Sequence, residues 1–277
     1  MTNALEKARE VGSQRGLSLC YHALGAVQYL MGKWQESMAS YQQSIDLGRE
    51  VGGLFGVVLG SQRLALLETR LGLYEQAYKR LLEALEAVKS SDNGLVRLHS
   101  MTRILGTLAQ NRLEAGDVAQ AVGYLAQGWE VQQAGGECVP CDVALYPAAV
   151  PVYLAIGDWE GAAWAAKKAE ETATNFGSQA WSATAVYVRG LLAKATGDWA
   201  EATRCFHQSL EFFEALEQPY ETALSREGFS DASSQADPML PPDLARSLLE
   251  QVASVYGRLG ATSDEQRARA KLAELGS

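Results

Sequence analysis

Two cysteines three positions apart are the residues of this chain whose spacing most readily suggests chemistry. They are Cys138 and Cys141, within the segment GGECVPCD at residues 135–142. A zinc ion in a protein usually has four ligands, commonly two such pairs or one pair with two closely spaced histidines. This sequence has no second pair, and its three histidines lie far apart, at His22, His99 and His207. We therefore expect no metal site.

Two other interpretations of the cysteine pair stay open. A thiol at a helix N-terminus has a lowered pKa, which suits it to redox chemistry, so Cys138 and Cys141 are a candidate thiol redox switch. The βαβ pattern that surrounds the C-x-x-C motif of many oxidoreductases is absent from this sequence. The simpler interpretation is a loop that holds two unreactive thiols.

Motifs and composition argue against an enzyme and against a nucleic-acid partner. The sequence has no G-x-S-x-G nucleophile motif and no G-x-x-x-x-G-K-[ST] phosphate loop, so we expect neither catalysis nor a cofactor. The formal net charge is −9, whereas nucleic-acid-binding proteins usually present a basic surface. The sequence has no apolar run long enough to predict a membrane span, and the charged N-terminal segment is unlike a signal peptide. We expect a cytoplasmic protein without nucleic-acid or membrane partners.

Glycines recur along the chain at a nearly constant spacing. The steps between them are 40, 44, 41 and 40 residues, for Gly32, Gly72, Gly116, Gly157 and Gly197. Neighbouring residues recur too, since GDWEGA begins at residue 157 and GDWAEA at residue 197. An apolar helical run lies on each side of every glycine, as at 17–31 and 34–51. Because glycine adopts the left-handed conformation that ends helices, the pattern predicts five antiparallel helix pairs.

Residues beside these glycines predict how the second helix of each pair begins and packs. Three aspartates follow a turn glycine and are predicted N-caps: Asp117, Asp158 and Asp198. Gln120 and Glu201 stand three residues after their aspartates, which predicts capping boxes. Three tryptophans open second helices and are predicted to be buried: Trp34, Trp159 and Trp199.

This pattern resembles the tetratricopeptide repeat. In the first pair the matching residues are Leu24, Gly25, Gly32, Trp34, Ser37, Tyr41 and Ser44. The period near 40 residues exceeds the family's usual 34. This longer form of the repeat resembles the helical repeat regions of bacterial signal-transducing ATPases and maltose-activator-type transcriptional regulators. The resemblance implies an all-α, right-handed superhelical solenoid of antiparallel helix pairs, about 14 helices in all. It covers nearly the whole chain and is not specific for function.

We expect one solenoid over residues 1–277. An N-terminal orphan helix lies within 1–15, and the five helix pairs occupy 16–217. An irregular sixth pair and a capping helix occupy 218–277, with a proline-rich loop at 233–242. The cap is expected because terminal repeats need a polar outer face.

The fourth pair departs from the pattern because its first helix contains Pro147 and Pro151. Each proline removes a helical hydrogen bond and leaves the carbonyl four residues earlier without its donor. The simpler prediction is a kinked helix that changes the curvature of the stack. The alternative is that the freed carbonyls bind part of a small-molecule effector.

The resemblance implies a concave groove lined by the first helix of each pair. Carrying the family's groove positions to this sequence gives His22, Tyr29, Gln62, Thr69, Arg70, Arg103, Gln110, Glu114, Pro147, Pro151, Tyr187 and Lys194. Such a surface suits an extended peptide or a helix of a protein partner. The predicted function is a protein-binding or peptide-binding scaffold or regulatory module. The alternatives are a small-molecule-sensing repeat domain and the thiol switch at Cys138 and Cys141.

Overall fold

The computed structural model describes residues 2–135, 138–236 and 240–275. Within these residues the chain forms fourteen α-helices and no strand, which confirms the predicted all-α class. The helices are α1 (Thr2–Glu10), α2 (Gln14–Leu30), α3 (Trp34–Glu50), α4 (Leu54–Arg70), α5 (Tyr74–Lys89), α6 (Gly94–Glu114), α7 (Val118–Gly135), α8 (Val139–Ala155), α9 (Trp159–Phe176), α10 (Gln179–Ala195), α11 (Trp199–Ala215), α12 (Pro219–Ser233), α13 (Pro242–Leu259) and α14 (Thr262–Glu274). None of these helices has both the length and the apolar character needed to cross a membrane.

The chain divides into two compact units, Met1–Leu145 (unit 1) and Tyr146–Ser277 (unit 2), and the boundary falls within α8. In unit 1 each helix packs on the next along the chain, and the alternate helices α2, α4 and α6 also touch one another. In unit 2 the same arrangement joins α10, α11 and α12. Stacked antiparallel pairs of this kind are typical of helical repeats. The single array over 1–277 stays a prediction, and residues 237–239 of the predicted 233–242 loop lie outside the described residues.

The predicted glycine turns are confirmed. The φ angles are +72°, +78°, +85°, +73° and +78°, in the left-handed region, for Gly32, Gly72, Gly116, Gly157 and Gly197. One turn has another residue in this conformation, since Glu217 follows α11 with φ +54°. A left-handed non-glycine residue is strained because its Cβ crowds the following carbonyl.

The predicted N-caps are also confirmed, but the capping boxes are not. A carboxylate oxygen of each aspartate accepts a hydrogen bond of 2.9–3.0 Å from the backbone N–H three residues later, at Asp117, Asp158 and Asp198. The Glu201 carboxylate instead accepts hydrogen bonds from Arg204, one turn further along α11. The Gln120 amide donates to the side chain of Asp117 at 2.6 Å. Both side chains prefer a charged partner to the backbone N–H of the cap residue.

Aromatic rings packed against glycines hold neighbouring helices close together. In unit 1 the ring of Tyr41 lies where a Cβ on Gly25 would come within 2.8 Å of it. In unit 2 the ring of Phe206 lies in the same way against Gly190 and Gly228, on α10 and α12. Tyr41 and Phe206 are 2% and 0% exposed. The small residues therefore set the spacing of the helices.

The tryptophans that open second helices are not equally buried. Trp34 is 3% exposed and stacks on Tyr29, with ring centroids 5.9 Å apart. Trp199 is half-buried. Trp159 is 48% exposed, so the prediction that it belongs to the core is wrong. Leu154 stands before the Trp159 turn at the position that Tyr29 occupies before the Trp34 turn, so no such ring is available to cover it.

Helix α8 continues through Pro147 and Pro151, and both prolines are half-buried. The helix therefore accommodates two residues that cannot donate a backbone hydrogen bond. The predicted kink and the predicted role of the freed carbonyls stay predictions.

Candidate functional site

Three basic side chains approach one another in unit 1, each from a different helix of the α2, α4 and α6 layer. They are His22, Arg63 and Arg103, and we call them the basic cluster. Both arginines lower the pKa of His22 by their charge, and Arg63 acts in the same way on Arg103. The three side chains are thus close enough for their charges to interact.

His22 is neutral at neutral pH. Burial is the largest cause that lowers its pKa, and the charges of Arg63 and Arg103 add to it, so that the value falls from 6.5 to about 4. Its Nδ1 is buried and has no hydrogen-bond partner among the described residues. An anion placed beside this ring would favour the protonated form and give Nδ1 a partner.

Arg103 is the most buried member of the basic cluster. Arg103 is only 8% exposed, and its Nη1 donates a 2.8 Å hydrogen bond to the carbonyl of Pro140. Burial and then the charge of Arg63 lower its pKa to about 9, which the nearby Tyr41 partly opposes. Within the described part of the chain, the Nε atoms of Arg103 and Arg63 are buried without a hydrogen-bond acceptor.

The basic cluster therefore concentrates donors and positive charge that the described residues do not satisfy. A buried arginine whose neighbour is a second, half-buried arginine is unfavourable unless an opposite charge or an acceptor joins them. Carboxylates and phosphates match this chemistry, since a guanidinium offers several N–H donors in a fixed plane. The arrangement can bind an anionic group.

Several predicted groove residues are paired between α4 and α6 rather than open to a partner. Gln62 is 2% exposed and donates from Nε2 to Thr107 Oγ1 at 2.7 Å. Thr69 is 1% exposed and accepts from Asn111 at 2.9 Å. Their side chains lie between the helices, and the neighbour of Gln62, Arg63, belongs to the basic cluster. The roles of Gln62 and Thr69 in partner binding stay predictions.

Other predicted groove residues in unit 1 form an ion-pair network near the C-terminal ends of α4 and α6. Arg70 binds the carboxylate of Glu114, and Gln110 donates to the same carboxylate at 3.1 Å. The charges of Arg70 and Glu114 are thus compensated by each other, and the roles of these residues in partner binding stay predictions.

In unit 2 the predicted groove residues also have partners. Tyr187 packs on Phe206 with ring centroids 5.6 Å apart, and Lys194 forms an ion pair with Asp231. Asp231 also binds Lys271 of α14 at 2.7 Å. These contacts tie α10, α12 and α14 together, and the predicted roles of Pro147, Pro151, Tyr187 and Lys194 in partner binding stay predictions.

The cysteine pair is a disulfide in this structure. The sulfurs of Cys138 and Cys141 are bonded, and His99 Nδ1 lies 3.1 Å from the Cys141 sulfur and 3.6 Å from that of Cys138. The sequence separates His99 from the pair by about 40 residues, and α6 brings it to the two sulfurs. These three donor atoms lie within 4.8 Å of one another, but sulfurs bonded to each other are not the thiolates that zinc requires.

Unit 1 also contains a cavity of about 320 Å³ between the first turns of α2, α4 and α6. Arg15, Leu19, Phe55 and Val96 contribute to its wall, together with glycines of the α3–α4 turn. Its volume is at the lower end of the range found for small-molecule sites.

Comparison with known proteins supports the fold. No protein-family model and no curated protein matches the chain. Among solved structures, a signal transduction ATPase with numerous domains and a tetratricopeptide repeat sensor from Pyrococcus horikoshii is 16% identical, with a TM-score of 0.60 over 96% of this chain and 38% of that one. A Rap protein complexed with Competence and Sporulation Factor is 16% identical, with a TM-score of 0.56 over 96% and 64%. BtubC from P. vanneervenii is 15% identical, with a TM-score of 0.50 over 86% and 89%.

These similarities define a helical repeat protein. More specifically, the chain has a tetratricopeptide-repeat-like fold, as the sequence pattern implied. It spans less than two thirds of the length of the Rap protein and of the ATPase.

Proposed function

We propose that unit 1 is a binding module for a protein or peptide segment rich in carboxylates, which it holds at the basic cluster. The observation that carries this proposal is that buried Arg103 and half-buried Arg63 have no acceptor for their Nε atoms among the described residues, beside an Nδ1 of His22 that has no partner there either. A bound carboxylate would accept hydrogen bonds from the arginine N–H groups and offset the repulsion between the two arginines.

Electrostatics favour an acidic partner at this place even though the whole chain is acidic. The formal net charge is −9, so a basic cluster is a local exception. Partly buried charges are screened less by salt and water than surface charges are, and they act over a longer range. An acidic segment is therefore repelled by the net charge of the chain and attracted at the basic cluster, which favours binding there.

The solved structures of similar fold are consistent with a binding role. The Rap protein is complexed with Competence and Sporulation Factor, and the Pyrococcus horikoshii ATPase has a repeat sensor. Binding of another molecule by a repeat array is thus a use to which this fold is put. The proposal extends that use to this chain and assigns it no catalytic role. It also includes the cytoplasmic location predicted from the sequence, which cell fractionation tests.

Calorimetric titration with two short peptides tests the proposal. A peptide of glutamates should bind and its glutamine counterpart should not, because the two differ only in charge. Arg63→Gln should weaken binding about tenfold, the usual effect of losing a hydrogen bond between charged groups. Arg204→Gln is the matched control: it removes the same charge from an exposed arginine of unit 2. Equal affinity for both peptides, or equal losses in the two variants, would contradict the proposal.

A small-molecule sensor is the second candidate function, and the cavity beside Phe55 favours it. A ligand that binds the folded state raises its stability by RT ln(1 + [L]/Kd), so a metabolite screen by thermal shift would find it. Leu19→Trp should fill the cavity and abolish the stabilisation. A ligand that stabilises this variant as strongly as the parent would bind elsewhere.

A further inference from the structure

The disulfide between Cys138 and Cys141 closes across the first turn of α8. The Cα atoms are 5.2 Å apart, and the backbone N–H of Cys141 donates to the carbonyl of Cys138 at 2.7 Å. The backbone of this turn thus places the two cysteines close enough for their sulfurs to bond. Such a pair can open and close with little rearrangement of the chain.

The two sulfurs differ in exposure. Cys138 is half-buried and Pro140 is exposed, whereas Cys141 is 0% exposed. A thiol from outside must approach the sulfur that it attacks, so it reaches Cys138 first. Cys141 is left as the internal partner.

His99 is placed to act on the internal sulfur. Neither sulfur of a disulfide carries a proton, so a hydrogen bond in the 3.1 Å contact with Cys141 requires that Nδ1 of His99 be the donor. Burial and then the charge of Arg103 lower the pKa of His99, which keeps its ring neutral. A neutral ring with Nδ1–H donates to whatever charge appears on the Cys141 sulfur.

We propose that Cys138, Cys141 and His99 form a thiol–disulfide exchange site for a dithiol reductant, and that its redox state controls the position of Arg103. A change in the position of Arg103 should change the affinity for the acidic segment, which rests on the proposed function, whereas the exchange chemistry does not.

The reaction has two steps and transfers two electrons. A thiolate of the dithiol attacks the Cys138 sulfur, the bond to Cys141 breaks, and the electron pair leaves on the Cys141 sulfur, which accepts a hydrogen bond from His99 and then a proton from water. The second thiol of the dithiol loses its proton to water and attacks the dithiol sulfur that is now bonded to Cys138. The bond between that sulfur and Cys138 breaks, and Cys138 leaves as a thiolate that water protonates. The dithiol becomes a disulfide, and the protein gains two electrons and two protons.

One hydrogen bond connects this site to the basic cluster. Arg103 Nη1 donates to the carbonyl of Pro140, which lies between the two cysteines. While the disulfide is closed, it clamps the first turn of α8 and keeps the Pro140 carbonyl in place for Arg103. Opening the disulfide removes the clamp, so this turn frays more readily and the anchor of Arg103 weakens.

Cysteine labelling tests the exchange site. Each cysteine-containing peptide of the full chain is quantified by mass spectrometry after alkylation with iodoacetamide. We expect Cys138 and Cys141 to be protected in air, labelled after dithiothreitol, and protected again after glutathione disulfide. In single variants, Cys138 of Cys141→Ser should react about tenfold faster than Cys141 of Cys138→Ser, given their exposure. Equal rates, or no protection in air, would overturn the proposal.

The role of His99 needs variants that separate hydrogen bonding from packing, because its ring also lies 5.8 Å from that of Phe55. His99→Phe keeps an aromatic ring without a donor, and it should slow reduction by dithiothreitol about tenfold. His99→Gln restores an N–H donor and should recover part of the rate. Reduction of His99→Phe at the parental rate would remove His99 from the proposal.

Hydrogen exchange measures the coupling to Arg103 without any partner. Reduction should speed exchange in the first turn of α8 and around Arg103, and leave peptides of α12 unchanged. If reduction changes nothing near Arg103, the coupling is wrong. Zinc bound stoichiometrically by the reduced protein through His99 and the two thiolates would overturn the exchange site in favour of a metal site. If the glutamate peptide binds in neither redox state, the proposed function fails while labelling and exchange still decide this proposal.

Discussion

Replacing Glu227 by glutamine should destabilise unit 2 at neutral pH and much less in acid. Glu227 lies on α12 and is 4% exposed. Its carboxylate accepts hydrogen bonds of 2.7–2.9 Å from Arg267 and Lys271 of α14 and from Tyr256 of α13. Burial alone would raise its pKa, but the hydrogen bonds and charges of Arg267 and Lys271 outweigh burial and lower the pKa from 4.5 to about 2.

The magnitude follows from this difference in pKa. Each pKa unit corresponds to about 1.4 kcal/mol, so the ionised carboxylate contributes about 3 kcal/mol to the free energy of unfolding. Because the folded pKa is the lower one, this contribution is complete above pH 4.5 and is lost as the pH falls from 4.5 towards 2. Glutamine resembles the protonated acid, so Glu227→Gln should cost about 3 kcal/mol at neutral pH and about half of that near pH 3.

Urea denaturation followed by circular dichroism measures this loss at both pH values. Glu171→Gln is the control, since Glu171 of α9 is exposed and its pKa is lowered mainly by a hydrogen bond from Lys168. We expect its stability to equal that of the parent. An equal loss for Glu227→Gln at both pH values would refute the reasoning, because the effect would then come from packing rather than from the ionised carboxylate.

Three further predictions concern turns, caps and packing, and each is measured by the same denaturation. Glu217→Gly should stabilise the chain by about 0.5–1 kcal/mol, because glycine removes the strain of the positive φ angle; a loss would show that Glu217 has another role. Gly25→Ala should destabilise the chain by about 1–3 kcal/mol, because the new Cβ would meet the Tyr41 ring. Gly123→Ala should be stabilising, because a Cβ at Gly123 meets no atom within 4 Å. Equal effects of the two substitutions would contradict the close packing at Gly25. Asp198→Ala should cost about 1 kcal/mol through the lost N-cap of α11, and an unchanged stability would mean that the cap contributes nothing.

The elements of the fold could be predicted because their signals are local. A glycine such as Gly197 takes the left-handed conformation wherever a helix must end, and an aspartate such as Asp198 caps the helix that follows. These residues act on neighbours in the sequence, so their spacing alone locates the helices. The same reasoning failed at Glu217, where a residue without glycine's freedom adopts the turn conformation.

The candidate site could be predicted only in part because it depends on contacts between distant residues. The hydrogen bond of Gln62 to Thr107 joins residues 45 apart in the sequence. The approach of His99 to Cys141 joins residues 42 apart and has no signature in the spacing of either. A one-residue step along α4 separates buried Gln62 from Arg63, which the sequence pattern did not distinguish. Which side chains meet across helices is decided by packing, which a repeat alignment does not contain.

The pKa of His22 in the presence and absence of the glutamate peptide tests the central claim most directly. Histidine resonances followed by NMR against pH give this value, and His22→Gln assigns the signal. We expect a pKa of about 4 in the free protein and a clearly higher value with the peptide, because a carboxylate beside the ring favours its charged form. Arg63→Gln should raise the pKa of His22 in the free protein, because it removes one positive neighbour of the ring. A His22 pKa that is near 6.5 in the free protein, or that the bound peptide leaves unchanged, would contradict an anion-binding site at the basic cluster.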